Sequence, residues 1–249
     1  MRNLKLVIEF DGSRFHGSQR QAEAKEPTVQ GVMEKRLAKL LGVRVPIVFS
    51  GRTDAGVHAL GQVVNFKLDS TITIPTARFP LAYGSLLPPE IGILSCEEAP
   101  LDFHARFSAR GKTYRYLILL GSSVFWRHRA WQVKREFDVD SMRQAAALLS
   151  GEHDFSSWRA QGSGQGPAAR DLKLTVRPVE LAGYRLLAIE AAATGFLYKM
   201  VRNLVGTLAA AGEGKLTLSD VEELLLCRDR TLAPPTAPAC GLYLVKVDY

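Results

Sequence analysis

One carboxylate in this chain stands in a setting that suits nucleophilic chemistry. Asp54 lies in the run Ser50-Gly51-Arg52-Thr53-Asp54-Ala55-Gly56-Val57-His58-Ala59, two residues after an arginine and two before a glycine. In an extended turn residues i and i+2 point the same way, so Arg52 can reach the Asp54 carboxylate. A neighbouring guanidinium favours the ionised form that a nucleophilic carboxylate needs. An isolated Asp-Ala-Gly would read as a surface Asx-turn; ten consecutive residues of this kind argue for a site. Apolar runs flank it, Val45–Phe49 before and Val63–Leu68 after. Both predict strands, which places Asp54 on a tight turn between rigid elements.

The remaining chemistry belongs to cations and aromatics. The 249 residues carry 32 Lys+Arg against 25 Asp+Glu, a formal charge of +7 that fits a polyanionic partner. Arg106, Arg110, Lys112 and Arg115 crowd one segment, and the stretch Phe125–Arg135 interleaves Trp126 and Trp131 with five basic or imidazole side chains. Aromatic faces accept stacked bases while cations neutralise phosphates, so the mixture suits RNA. The same tryptophans could instead anchor a core with solvated arginines between them. His16, His58, His104, His128 and His153 are scattered, and Cys96, Cys227 and Cys240 are far apart. Neither set has ligand spacing, so no metal is expected.

Behind these residues stands an ordinary globular composition, 47% hydrophobic and 23% charged. No apolar run approaches the ~20 residues of a bilayer span. Met1-Arg2-Asn3-Leu4 opens no signal-peptide stretch, so a reducing cytoplasm is the expected location. Leu4, Leu6, Ile8 and Phe10 alternate as a half-buried strand, ended by the turn Asp11–Gly17. Thr28 should cap a helix carrying Val29, Met33, Leu37 and Leu41, closed by Gly42. Pro75–Leu87 reads as partly helical, Ile91–Cys96 and Thr113–Leu120 as strands. A helix is expected over Val139–Leu149, capped by Asp138 or Asp140, and a loop over Gln161–Pro167. Leu172–Leu181 and Tyr184–Glu190 form a hairpin about Ala182-Gly183. A helix over Gly195–Ala211 would put Phe196, Lys199 and Arg202 at helical spacing. Ser219-Asp220-Val221-Glu222 has capping-box spacing for a last helix, and Gly241–Val247 closes as a strand. Hairpins outnumber crossovers, so the class is α+β with a largely antiparallel sheet.

Taken in order, these blocks resemble the TruA family of tRNA pseudouridine synthases. They are Phe10-Asp11-Gly12, Gln19-Arg20-Gln21, Gly51–His58, Phe103–Ala109, Tyr114-Arg115-Tyr116, His153-Asp154-Phe155, Met200–Gly206, Arg230-Thr231-Leu232, Ala237-Pro238 and Gly241–Leu244. The resemblance implies the pseudouridine synthase fold: two similar α+β halves, 1–102 and 103–249, with mainly antiparallel sheets flanking a central catalytic cleft. It implies isomerisation of uridine at positions 38, 39 and 40 of the tRNA anticodon arm by a homodimer, with no cofactor and no metal. Asp54 would be the nucleophile, attacking C6 of the base or C1′ of the sugar. Arg52 would pair with it and hold the opened RNA. Tyr114 would stack on the extruded uracil, its hydroxyl the candidate base for the C5 proton. Arg202 and Asn203 would lie near the cleft, Leu244 under the target base, and His58 beside the aspartate loop. Gln19, Arg20, Lys112 and Arg115 are expected RNA contacts. Two positions depart from the family pattern: Ser18 stands where a tryptophan is usual, and Ala193-Thr194-Gly195 lacks the usual asparagine before Phe196. The same isomerisation on another RNA, a hydrolase using Asp54 with His58, and a non-catalytic RNA-binding module are the rival readings.

Overall fold

The computed structural model describes residues 1–20, 27–162 and 166–249; Gln21 and part of the expected Gln161–Pro167 loop lie outside the described residues. The first strand, β1 (Arg2–Phe10), buries Leu4, Leu6, Ile8 and Phe10 on its alternating face. Helix α1 (Val29–Leu41) starts at Thr28, whose hydroxyl accepts the Gly31 N–H, and stops at Gly42 with φ 73°. There follow β2 (Val48–Phe49), β3 (His58–Leu68), α2 (Phe79–Gly84) and β4 (Ile91–Ala99). Next come β5 (Gly111–Leu120), β6 (Trp131–Val133), α3 (Val139–Leu148) and β7 (Gly151–Asp154). The chain ends with β8 (Ala169–Leu181), β9 (Tyr184–Ala193), α4 (Met200–Gly212), α5 (Leu218–Cys227) and β10 (Leu242–Asp248).

Two compact units form, Met1–Arg110 with Tyr243–Tyr249, and Gly111–Leu242. Residues 103–110 stay with the first unit because Ala105 donates its N–H to Asn65 Oδ1 (2.9 Å) and Arg110 its N–H to the Asp248 carbonyl (2.8 Å). The C-terminal strand returns because β10 runs parallel beside β3, pairing Tyr243 with His58 and Leu244 with Ala59.

In the first unit β1 lies between β3 and β4, antiparallel to both, and β2 adds to β3. Helices α1 and α2 pack together, and the Tyr83 hydroxyl donates to the Met33 carbonyl at 2.7 Å. In the second unit β5, β9, β8 and β7 form an antiparallel run, and β6 lies parallel on β5. The β8–β9 hairpin turns at Ala182 (φ 51°) and Gly183 (φ 76°), two positive φ values in succession, as tight hairpins require. Helix α3 is capped by Asp138 and packs against α4, α5 and β8.

Two expected boundaries move. Helix α4 begins at Met200, not Gly195, because Lys199 adopts left-handed backbone (φ 56°) and cannot continue a helix back to Phe196. Helix α5 takes its capping box from Thr217 and Asp220, two residues ahead of the expected Ser219 frame. Among the described residues, no helix is long and apolar enough to cross a membrane.

Candidate active site

The aspartate loop is held from both ends before Asp54 is reached. Gln62, fully buried on β3, donates its amide to the Gly51 carbonyl (3.0 Å) and accepts from the Ser50 hydroxyl (2.5 Å). Ser18, also fully buried, grips Thr53 twice. Its hydroxyl accepts the Thr53 N–H at 2.8 Å and its own N–H donates to the Thr53 carbonyl at 3.1 Å. Beyond Asp54 a β-turn closes as Val57 donates its N–H to the Asp54 carbonyl (3.2 Å), with Gly56 supplying the positive φ (78°) at the third position.

The segment from Asp11 to Ser18 is the plate on which this loop rests. A Cβ at Gly12 would lie 2.0 Å from the Val57 carbonyl oxygen, and one at Gly17 would lie 2.7 Å from that of Thr53. Only glycine permits such approaches, and Gly17 also has φ 82°. His58 locks the far side. Its Nδ1 accepts the Gly12 N–H at 3.1 Å, and its ring stacks on Tyr243 at 4.7 Å. The Asp11 carboxylate lies 3.3 Å from the same nitrogen. Asp11 also accepts the Ser13 N–H and turns the chain. Asp54 therefore sits half-buried on an immobilised backbone, with Arg52 and Ala55 exposed on either side. Leu244 is fully buried on the neighbouring β10. Gln19 is half-buried, while Arg20 is exposed with its guanidinium 3.5 Å from Glu34.

In the second unit Tyr114 is nearly enclosed on β5, its ring edge-to-face with Phe196 at 5.0 Å. Strand alternation puts Lys112 on the same face as Tyr114 and Arg115 on the other. Arg115 pairs across the ladder with Glu190 (2.6 Å), which Arg177 also approaches (3.4 Å). Burial opposes ionisation of Glu190, yet these two guanidinium groups outweigh it and hold the carboxyl below its ordinary value.

The Met-Val-Arg-Asn segment opens α4. Arg202 Nε donates to the Ala237 carbonyl (2.8 Å) and its own carbonyl accepts the Ala237 N–H (3.1 Å). One turn on, Gly206 lets the Pro235 carbonyl approach to 2.2 Å of where a Cβ would be. Asn203 is fully buried. Its amide donates to the Trp158 carbonyl (2.7 Å), and its oxygen accepts from Thr236 (2.6 Å) and Arg230 (3.2 Å). This hub explains why Arg230 and the 235–238 segment accompany α4. The aromatic-basic stretch divides: Trp131 meets Tyr116 and Trp126 meets Tyr184 as partly buried packing groups, while Phe125, Arg127, His128 and Arg129 are exposed.

Sequence reasoning missed Ser18 and Gln62 as holders of the loop. Gln62 signalled itself as a polar side chain inside an apolar strand run, whereas Ser18 lies in a polar turn that carried no such signal. Among the described residues, no three His, Cys, Asp or Glu side chains are grouped to share a metal ion.

Comparison with known proteins meets this geometry from outside. The profile of a tRNA pseudouridine synthase family matches residues 6–108 and 145–249. Proteins named tRNA pseudouridine synthase A from Acetivibrio thermocellus and Ruminiclostridium cellulolyticum are each 44% identical to this chain, over 252 and 251 residues, covering 100% of both sequences. One of that name from Moorella thermoacetica is 42% identical over 249 residues, covering 99% of each. Matched by that family profile over most of its length and by these relatives over the whole of theirs, the chain belongs to the tRNA pseudouridine synthase family.

Proposed function

We propose that this protein converts uridine to pseudouridine at positions 38, 39 and 40 of the tRNA anticodon stem-loop, with Asp54 as the nucleophile. The observation that carries the reading is the loop itself: a half-buried carboxylate on a backbone fixed by Ser18, Gln62 and the Gly12–His58 pair. A nucleophile that must meet one carbon of an extruded nucleotide gains most from such placement, since an error of about 1 Å costs ~100-fold in rate.

The chemistry asks little else. The C1′–N1 bond breaks, the uracil turns, C5 bonds to C1′, the C5 proton leaves and N1 takes up a proton; nothing is oxidised and the product has the substrate's mass. Asp54 supplies the transient covalent bond. Tyr114, rigidly backed by Phe196, offers its ring to the uracil face and its hydroxyl to the C5 proton. Arg52, exposed beside the nucleophile, holds the opened RNA strand, and Lys112 adds positive charge on the Tyr114 face of its strand. Arg202, tied to Ala237 through Nε, brings a positive charge to the start of α4 that favours phosphate. Asn203 acts from beneath by holding Arg230 and Thr236. The protein works in the cytoplasm as a homodimer whose two subunits share one tRNA.

The test uses unmodified tRNA labelled with tritium at uracil C5. Release of tritium to water with the RNA mass unchanged, and label lost from positions 38–40, is the expected result. Salt-sensitive tRNA binding without release would overturn the reading in favour of a binding module, and a lower product mass would indicate a hydrolase.

A further inference from the structure

A second feature of the first unit is built with as much care as the aspartate loop and has no part in the chemistry above. The turn His104–Ser108 satisfies its own backbone. Ser108 donates its N–H to the His104 carbonyl (2.9 Å), and the Ser108 hydroxyl accepts the His104 N–H (3.1 Å). His104 Nδ1 accepts the N–H groups of Arg106 (3.2 Å) and Phe107 (3.3 Å). Its inner side is anchored in the sheet. Buried Ala105 donates to Asn65 Oδ1 at 2.9 Å and accepts from the Tyr249 hydroxyl at 2.7 Å. Asn65 is itself buried and donates to Asn3 Oδ1 (2.9 Å), while the Asn3 amide reaches the Pro100 and Phe103 carbonyls.

Burying two asparagines is costly unless every polar atom is met, and the return is a uniquely fixed backbone. What that backbone presents outward is Phe107, 76% exposed, with the His104 ring 4.4 Å away and the Arg106 guanidinium 5.5 Å from the ring centroid. A phenylalanine left in water adds nothing to the fold. Its turn neighbours His104, Arg106 and Ser108 are polar or cationic, a setting that suits a charged, planar ligand better than an apolar one. A flat π face on a fixed backbone, beside a guanidinium, matches a nucleobase with its phosphate.

We propose that Phe107, flanked by His104 and Arg106, is a stacking platform for an unpaired base of the RNA substrate, with Arg106 meeting the adjoining phosphate. This rests on the reading of RNA as substrate and adds a binding subsite to it.

Dissociation constants for an unmodified tRNA transcript and for oligo(U), measured across a salt series, test the platform. Phe107→Ala should weaken tRNA binding about tenfold, the usual range for loss of one stacked base, with an unchanged salt slope and an unchanged melting temperature. Phe107→Leu should behave as Phe107→Ala, and Phe107→Trp should restore affinity. Arg106→Gln should lower the salt slope by about one. Wild-type affinity in Phe107→Ala, or full rescue by the leucine, would overturn stacking while leaving the catalytic reading intact. Phe107-dependent binding of oligo(U) by an enzyme that releases no tritium from tRNA would support the platform and sink the catalytic reading. Wild-type protein that binds neither RNA would overturn the platform.

Discussion

Replacing Ser18 with alanine tests how the aspartate loop is held. The substitution removes the acceptor of the Thr53 N–H, a 2.8 Å bond between two buried residues, and leaves the Ser18 N–H on the Thr53 carbonyl untouched. An enclosed amide that loses its partner costs about 1–3 kcal/mol. For a chain of this size each kcal/mol shifts Tm by about 2–4 °C, so calorimetry should record a fall of about 2–12 °C. Thr53 is the residue before the nucleophile, and the loop would relax toward whatever else can satisfy its amide. A displacement near 1 Å would lower kcat by up to ~100-fold. KM for tRNA should not change, because Ser18 is fully enclosed and meets no RNA. Steady-state kinetics with tritiated tRNA, beside the melting curve, reads both quantities. A variant with wild-type kcat and Tm would refute the claim that this hydroxyl positions Asp54, and a raised KM alone would place Ser18 in RNA contact instead.

Other perturbations follow from the same geometry. Gly12→Ala would drive a methyl group to within 2.0 Å of the Val57 carbonyl, so it should destabilise the protein by about 1–3 kcal/mol in urea unfolding and lower kcat. Tyr114→Phe keeps the ring against Phe196 and should hold tRNA affinity while slowing tritium release severely, whereas Tyr114→Ala should also weaken binding. Glu190 is held below its ordinary value in the folded protein, so its contribution to stability is present above the usual carboxylate range and lost as pH falls through the lowered value. Glu190→Gln should therefore melt below wild type at pH 7, by under ~1 kcal/mol for so exposed a pair, with the gap closing below about pH 4. A gap that widened in acid would contradict the assignment.

Legibility in the sequence followed the reach of the interactions. Helix α1 was readable because Thr28 and Gly42 cap it locally, and the β8–β9 hairpin because Ala182-Gly183 supplies the turn. The start of α4 was not, because Phe196 has helical spacing but packs on Tyr114, and the left-handed Lys199 breaks the run. At α5 two overlapping Ser/Thr-x-x-acid frames exist, and only the Thr217–Asp220 frame is used. The return of β10 to the first unit depends on parallel pairing with a strand more than 170 residues earlier, which no local pattern announces. In the site, the Asp54 run stood out by its own residues. The side chains that immobilise it did not: Ser18 acts from 35 residues away and Gln62 from inside an apolar strand.

The central claim is that Asp54 forms the covalent bond on which isomerisation turns. Asp54→Asn changes one charge and almost no volume, so the protein should fold and bind tRNA within about 1 kcal/mol of wild type, since phosphate contacts are distributed over many residues. With tRNA tritiated at uracil C5, wild type should release the label and the folded, tRNA-bound Asp54→Asn protein should release none. Undiminished release by that variant would contradict the account at its root.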